Sequence, residues 1–258
     1  GGAGDVSWGG PMRIVFAHDR DPESDIVGFC EIVTRDPFFI IGCEPRPEFS
    51  LGDLQGLRLG AVSEVPTPFL CLTDDLLRAE IDPASLAFDQ TRTMAENEAA
   101  LRSGALDAIQ VSEPFVTRLC ADGAGHIWYA AANRGPTSYT TLFARRAVLE
   151  ERRDMLLAMT RALYRTQRWV HSHDAGAIAA AIESFFPDID TPTLTDAIAR
   201  YQSLGIWGRT PRLPQGGFER LRDACQAGGL IASRPAYDAC IDTTLADAVL
   251  ASDPPPLE

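Results

Sequence analysis

The sequence predicts an α/β protein built as two lobes, each a mainly parallel sheet flanked by helices. Three observations carry this expectation. Short apolar strands alternate with helical segments through the first half of the chain, the pattern of a parallel sheet with crossover helices. A Gly-Ala-x-Asp sequence occurs twice, at residues 2–5 and 104–107, and each copy is followed by a short strand and a Pro-containing turn. From Val148 onward the pattern turns helical, as expected for helices packed on lobes already built.

In order along the chain, residues 5–8 read as a strand that stops at Gly9-Gly10-Pro11. Residues 13–17 and 27–35 are strand-like, the second rich in β-branched side chains. Residues 44–53 form a Pro-rich connector, and 57–62 a further strand. Pro66 stands where proline is tolerated at a helix start, and 67–79 continues helically. A strand at 86–88 precedes a helix at 94–102 that Gly104 ends. Residues 108–111 are a buried strand. Ser112, Glu113 and Pro114 then supply a cap, an acid and a proline for the next helix, and 127–131 is one more strand. Leu149, Leu156, Met159, Leu163 and Val170 hold one apolar face over a long helix, followed by helices at 175–186, 193–204 and 218–227.

Composition narrows the function. The 258 residues suffice for one large domain or two lobes, and 45% hydrophobic with 23% charged residues is ordinary for a globular chain. No apolar run approaches the roughly 20 residues of a membrane span. A net charge of −13 repels nucleic acid and anionic membranes. All 23 basic residues are arginine, which excludes Schiff-base, phosphate-loop and general-base lysine chemistry. The six cysteines form no Cys-x-x-Cys pair and no zinc spacing; small buried hydrophobes are expected, with disulfides left open. No catalytic residue, metal site or cofactor is expected, since nucleophile elbows, zincin motifs and dinucleotide loops are absent. The chain opens without an initiator Met or signal peptide, so an N-terminal piece is expected upstream of Gly1, carrying any export signal. Residues 254–256 read as a disordered tail and Leu257-Glu258 as a vector-derived scar.

The repeat has a physical sense. Glycine closes a helix in the left-handed conformation, the Asp pins the turn, and the strand runs to the carboxyl edge of its sheet, where α/β proteins bind ligands. Residues 51–60 (Leu-Gly-Asp-Leu-Gln-Gly-Leu-Arg-Leu-Gly) resemble the Asp-Leu-x-Gly segment of type II solute-binding proteins of ABC importers. Residues 99–108 with Glu113-Pro114 resemble that family's Ala-Leu-x-x-Gly-x-[apolar]-Asp-Ala…Glu-Pro signature, and 231–245 its closing segment. The likeness covers nearly the whole chain and is greatest to the branch that binds sulfonates, nitrate, taurine and thiamine-pyrimidine precursors. It implies the periplasmic-binding-protein type II fold with a ligand cleft between the lobes. Lobe one would hold 1–48 and 144–250, lobe two 49–143, and 251–258 would be tail.

By that resemblance, the pocket is built from strand-end loops and helix N-termini. Gly9, Gly10 and Pro11 would let a ligand approach the backbone, with Trp8 either stacking on it or serving as a core aromatic. Ser63, Glu64 and Thr67 lie at a helix start that favours anions. Glu113 opens the next helix, as a ligand contact or as compensation of the helix dipole. Thr137, Ser138 and Tyr139 precede the return strand. With Glu64 and Glu113 both near, the site reads as acidic, which favours a pyrimidine-like or amine ligand over a sulfonate or nitrate. His171 and His173 read as structural, and residues 18–21 as a solvated charge cluster.

The resemblance implies an extracytoplasmic receptor, periplasmic or lipid-anchored, with a small-molecule ligand and membrane permease subunits as partners, monomeric and without nucleic acid. The alternative is a recruited enzyme of the same fold (thiamine-pyrimidine-synthase-like, desulfinase-like or decarboxylase-like) or a cytosolic ligand sensor. For the enzyme, Cys30 is the thiol to watch.

Overall fold

A computed structural model describes residues 4–257, so Gly2 and Ala3 of the first Gly-Ala-x-Asp copy lie outside the described residues. β1 (Ser7–Gly9) leads into α1 (Met12–Arg20), β2 (Ile26–Val33) and β3 (Phe39–Gly42). Then come β4 (Leu59–Gly60), α2 (Thr67–Arg78), β5 (Phe88–Asp89), α3 (Met94–Arg102), β6 (Ala108–Val111), α4 (Phe115–Ala121) and β7 (His126–Ala130). β8 (Thr140–Arg145) opens the helical half: α5 (Arg146–Glu151), α6 (Arg153–Ser172), α7 (Ala175–Ile182), α8 (Thr191–Leu204), α9 (Gln215–Ala227), α10 (Tyr237–Cys240) and α11 (Thr244–Ala251). Contacts divide the described chain into two units, 4–36 with 134–174 and 205–257, and 37–133 with 175–204.

In the first unit β8 lies between β1 and β2, antiparallel to both. Side chains alternate across this sheet. Val27, Phe29, Leu142 and Ala144 form a core with Leu149 of α5, Leu156 of α6 and Leu245 of α11. On the other face Ile14 of α1 and Ile241 press on Gly28, each 3.0 Å from where a Cβ would stand. Residues 13–17, expected as a strand, form α1. Pro11 fixes the helix start, and Ile14, Val15 and His18 fall at helical spacing on the buried side, which outweighs the β preference of Ile and Val. The 18–21 cluster is not simply solvated. His18 is buried with Nε2 2.9 Å from the Ile26 carbonyl, and the Asp19 carboxylate accepts from Ser233 N and Oγ at 2.7 and 2.6 Å. The proline tail is held too: Pro254 is buried, Arg168 donates to its carbonyl at 2.7 Å, and Arg165 donates to Pro255 at 3.0 Å.

The second unit has a five-stranded sheet in the order β5-β4-β6-β3-β7. The β5, β4 and β6 strands are parallel, while β3 is antiparallel to β6 and β7. The α/β class therefore holds with one antiparallel and one mixed sheet, where mainly parallel ones were expected. Alternation of strands and helices reports local order; it is silent on how a strand arriving from far along the chain is inserted. Period-two alternation gives two cores. Phe39, Ile41 and Ile109 pack with α3, α4 and with Tyr201 and Leu204 of α8. Ile40, Ala108 and Leu59 pack with Leu72 and Leu76 of α2, Leu54 and Trp128. Residues 175–204 thus gather with the second unit, where the sequence reading assigns all of 144–250 to lobe one. Ile178, Ala179, Leu194, Ala197 and Ile198 are buried on the α7–α8 pair. Gly104 closes α3 at φ +71°, and Asp107 accepts three bonds from Arg58 (backbone N 2.8 Å, Nε 3.0 Å, Nη2 2.6 Å), pinning the strand edge as the repeat implies. No helix among the described residues is long and apolar enough to cross a membrane.

Candidate functional site

Each unit carries its own set of the expected residues. In the first unit β1 ends at Gly9, and Gly10-Pro11 turns the chain into α1. Trp8 is 60% exposed, so its ring is not part of the core. Arg13, in the first turn of α1, reaches back over this turn: its Nε lies 3.3 Å from where a Gly9 Cβ would stand. A side chain at Gly9 would displace it. Arg13 is exposed and makes no ion pair or side-chain hydrogen bond with any described residue. A cation beside a helix N-terminus opposes the helix dipole, so it gains nothing there locally. That misplacement is the sequence signal for Arg13, which the motif reading passes over. Together the exposed aromatic, the free guanidinium and the start of α1 suit a ligand with a flat or apolar body and an anionic head.

The 135–139 segment faces inward. Thr137 and Ser138 are fully buried, and Thr137 Oγ1 donates to the Gly135 carbonyl at 3.1 Å. Thr137 N donates to Thr34 O at 2.9 Å and Tyr139 N to Val33 O at 2.8 Å, so the turn is laid along β2. Ser138 Oγ donates to Glu31 Oε1 at 3.1 Å. These two hydroxyls are spent on the unit's own interior, and Tyr139 is half-buried beside them. Next to this turn Arg134 and Asp36 form an ion pair at 2.6 Å with side chains 3% and 0% exposed.

In the second unit residues 63–66 are exposed ahead of α2, and Thr67 is buried. Ser63 N donates to Arg92 O at 3.1 Å. Both Glu64 oxygens accept from Met94 N at 3.1 Å, so this carboxylate caps α3, alongside the reciprocal Thr93–Glu96 capping box. Glu113 is likewise engaged. Its side chain is 4% exposed, it pairs with Arg200 of α8, and it accepts from Thr117 N at 3.0 Å. The Glu113 backbone N donates to Tyr201 Oη at 3.1 Å. Of the two charges expected to make the setting acidic, Glu113 is matched by an arginine, while Glu64 stays exposed and serves a helix start. Gln110 on β6, unnoticed in the sequence, is buried, with Nε2 donating to Pro68 O at 3.0 Å and Oε1 without a partner.

Cys30 lies buried in β2, and burial, reinforced by Glu31, pushes its thiol up to about 12. A nucleophilic cysteine needs the opposite shift. Among the described residues no group of three or more His, Cys, Asp or Glu is placed to hold a metal ion.

The family model described as the NMT1-like family matches residues 49–184. YtlA of Bacillus subtilis (strain 168), a protein carrying a binding-protein name, is 24% identical over 247 residues, 95% of this chain and 74% of its own. Three solved structures are similar. The alkanesulfonate-binding protein SsuA from Xanthomonas axonopodis pv. citri, bound to MOPS, has a TM-score of 0.70 at 14% identity, covering 94% of this chain and 82% of its own. The periplasmic aliphatic sulphonate binding protein SsuA from Escherichia coli has a TM-score of 0.66 at 19% identity, covering 92% and 79%. The desulfurization enzyme DSZB has a TM-score of 0.66 at 14% identity, covering 96% and 86%. These likenesses show the fold, that of type II periplasmic binding proteins.

Proposed function

The chain belongs to the NMT1-like family, and on that premise we propose that it is the solute-binding component of an ABC importer, taking a small organic ligand with an anionic head. The observation that carries the ligand class is the turn where Trp8 is exposed and Arg13, at the start of α1, has no ion pair among the described residues. The pyrimidine-like or amine ligand expected first from sequence rests on Glu64 and Glu113 as free carboxylates, and both are engaged within the second unit. A sulfonate or carboxylate therefore ranks ahead of a nitrogen donor. Glu31, Thr137 and Ser138 hold the separate 135–139 turn of the same unit, and Ser63, Thr67 and Gln110 offer the second unit's helix start.

An extracytoplasmic location and permease subunits as partners follow from this reading; the Escherichia coli SsuA is named as periplasmic. The protein acts as a monomer and binds no nucleic acid, in keeping with its charge of −13. The enzyme alternative draws on DSZB, which shares the fold; the buried Cys30 thiol speaks against it.

Isothermal titration with aryl and alkyl sulfonates, pyrimidines and amines tests the assignment. Binding of a sulfonate that Arg13→Gln weakens by about tenfold or more, roughly 1.4 kcal/mol, is expected, with the ligand-free melting temperature unchanged. Binding of an amine or pyrimidine indifferent to Arg13→Gln overturns the anion reading.

A further inference from the structure

We propose that Glu31 and Ser138 form a proton-linked latch that closes the 135–139 turn onto β2. Glu31 is 2% exposed, and its Oε1 accepts from Ser138 Oγ at 3.1 Å. Ser138 is held at φ +38°, a left-handed conformation uncommon outside glycine. It bulges between the two backbone bonds that lay the turn on Thr34 and Val33, and this turns its hydroxyl inward. Gly217 of α9 backs it, since a Cβ there would stand 2.7 Å from Ser138 Oγ. On the other side Gln167 Nε2 donates to Glu31 O at 2.8 Å, and a Cβ on Gly208 would lie 3.5 Å from Glu31 Oε2. The carboxyl is thus walled by two glycines and a hydroxyl, while the Gln167 amide holds the backbone carbonyl of the same residue.

No basic side chain pairs with it among the described residues. Cys30 precedes it on β2. From α10 it faces Tyr237, whose hydroxyl donates to Leu213 O at 2.5 Å. From α6, beyond Gln167, His171 reaches only the Gly208 carbonyl, at 3.2 Å. Arg212, near Tyr237, is paired with Asp247 of α11 at 3.1 Å. Desolvation accordingly pushes the Glu31 carboxyl up to about 8, against the opposing pull of the Ser138 and Thr34 hydroxyls. The sign follows. With the folded value raised above the ordinary 4.5, the stability that Glu31 contributes is complete below about 4.5 and is lost as pH rises towards about 8. An anion left there is relieved by admitting water, and the exposed Pro136 beside it marks the turn as the way in.

The latch stands whether or not the turn touches a ligand. Carbon-13 NMR of the glutamate carboxyls in the full chain, from about pH 5 to about pH 10, tests it. One carboxyl titrating near 8, missing in Glu31→Gln, is expected, with amide protection at 137–139, taken relative to the intrinsic base-catalysed rate, falling about tenfold above that pH in the parent only. Where Glu31→Gln fails to fold, Ser138→Ala serves, because loss of a hydroxyl donor should move the midpoint further up. Glutamates that all titrate below about 6, or amide protection at the turn that falls equally with pH without Glu31, overturn the proposal.

Discussion

The Glu113 carboxylate is bound by the guanidinium of Arg200, 87 residues further along the chain, and this pair ties α4 to α8. Arg200 also donates to Thr117 Oγ1 at 2.8 Å, while Thr117 N donates back to Glu113 at 3.0 Å. The acid that the Glu-Pro motif offers as a ligand contact is therefore a strut of the second unit. Arg200→Ala leaves a nearly buried anion with backbone support alone and should cost about 3 kcal/mol of stability. Glu113→Gln keeps a neutral acceptor in place and should cost about 1 kcal/mol. Urea denaturation measures both. A Glu113→Gln variant of unchanged stability and impaired ligand binding returns Glu113 to the binding site.

Gly42 should tolerate no side chain. A Cβ there would stand 1.8 Å from the Trp128 ring, which lies flat against β3. That ring cannot yield: its Nε1 donates to Glu44 O at 2.7 Å, Phe49 stacks at 5.4 Å, and the Arg46 guanidinium sits 4.4 Å above it. Gly42→Ala is expected to cost about 3 kcal/mol or more through overpacking, with altered tryptophan fluorescence. Gly104→Ala, with open space around it but φ +71°, should cost only about 1 kcal/mol. Equal losses at the two sites in denaturant titrations show that crowding by Trp128 is not the limit.

The cysteines should separate by reactivity. Cys43 is exposed, while Cys30, Cys225 and Cys240 are buried with thiols pushed up to about 12. At pH 8 only about one in ten thousand of such thiols is ionised. Iodoacetamide followed by peptide mass spectrometry is expected to label Cys43 first and Cys30 only on unfolding. Early labelling of Cys30 revives the recruited-enzyme reading.

Some features were legible because their causes are local. The helices at α2 and α3 follow from Pro66 and from the Thr93–Glu96 cap. Asp107 pins its strand edge as the repeat suggests. The run Ile14-Val15-Phe16 misleads in isolation: its β preference yields once Pro11 starts a helix and the apolar side chains meet the face of a sheet. Glu64 could not be read correctly from its neighbours, since its partner is the backbone N–H of Met94, thirty positions away. Arg13 was hidden by the strand reading of residues 13–17, because a basic side chain runs against the dipole only once residues 12–20 are known to be a helix.

The sequence by itself determined the α/β class, the left-handed stop at Gly104 and a family likeness, matched over residues 49–184, for these depend on short-range periodicity and on residue types that few conformations admit. Only the tertiary structure decided that α7 and α8 gather with the second unit, that β3 runs antiparallel between β6 and β7, that Glu113 and Glu31 each answer to the interior of their own unit, and that Glu64 caps a distant helix at the surface. Each of these depends on which distant surface becomes available for burial and which donor it brings, and neither is encoded in the residues nearby.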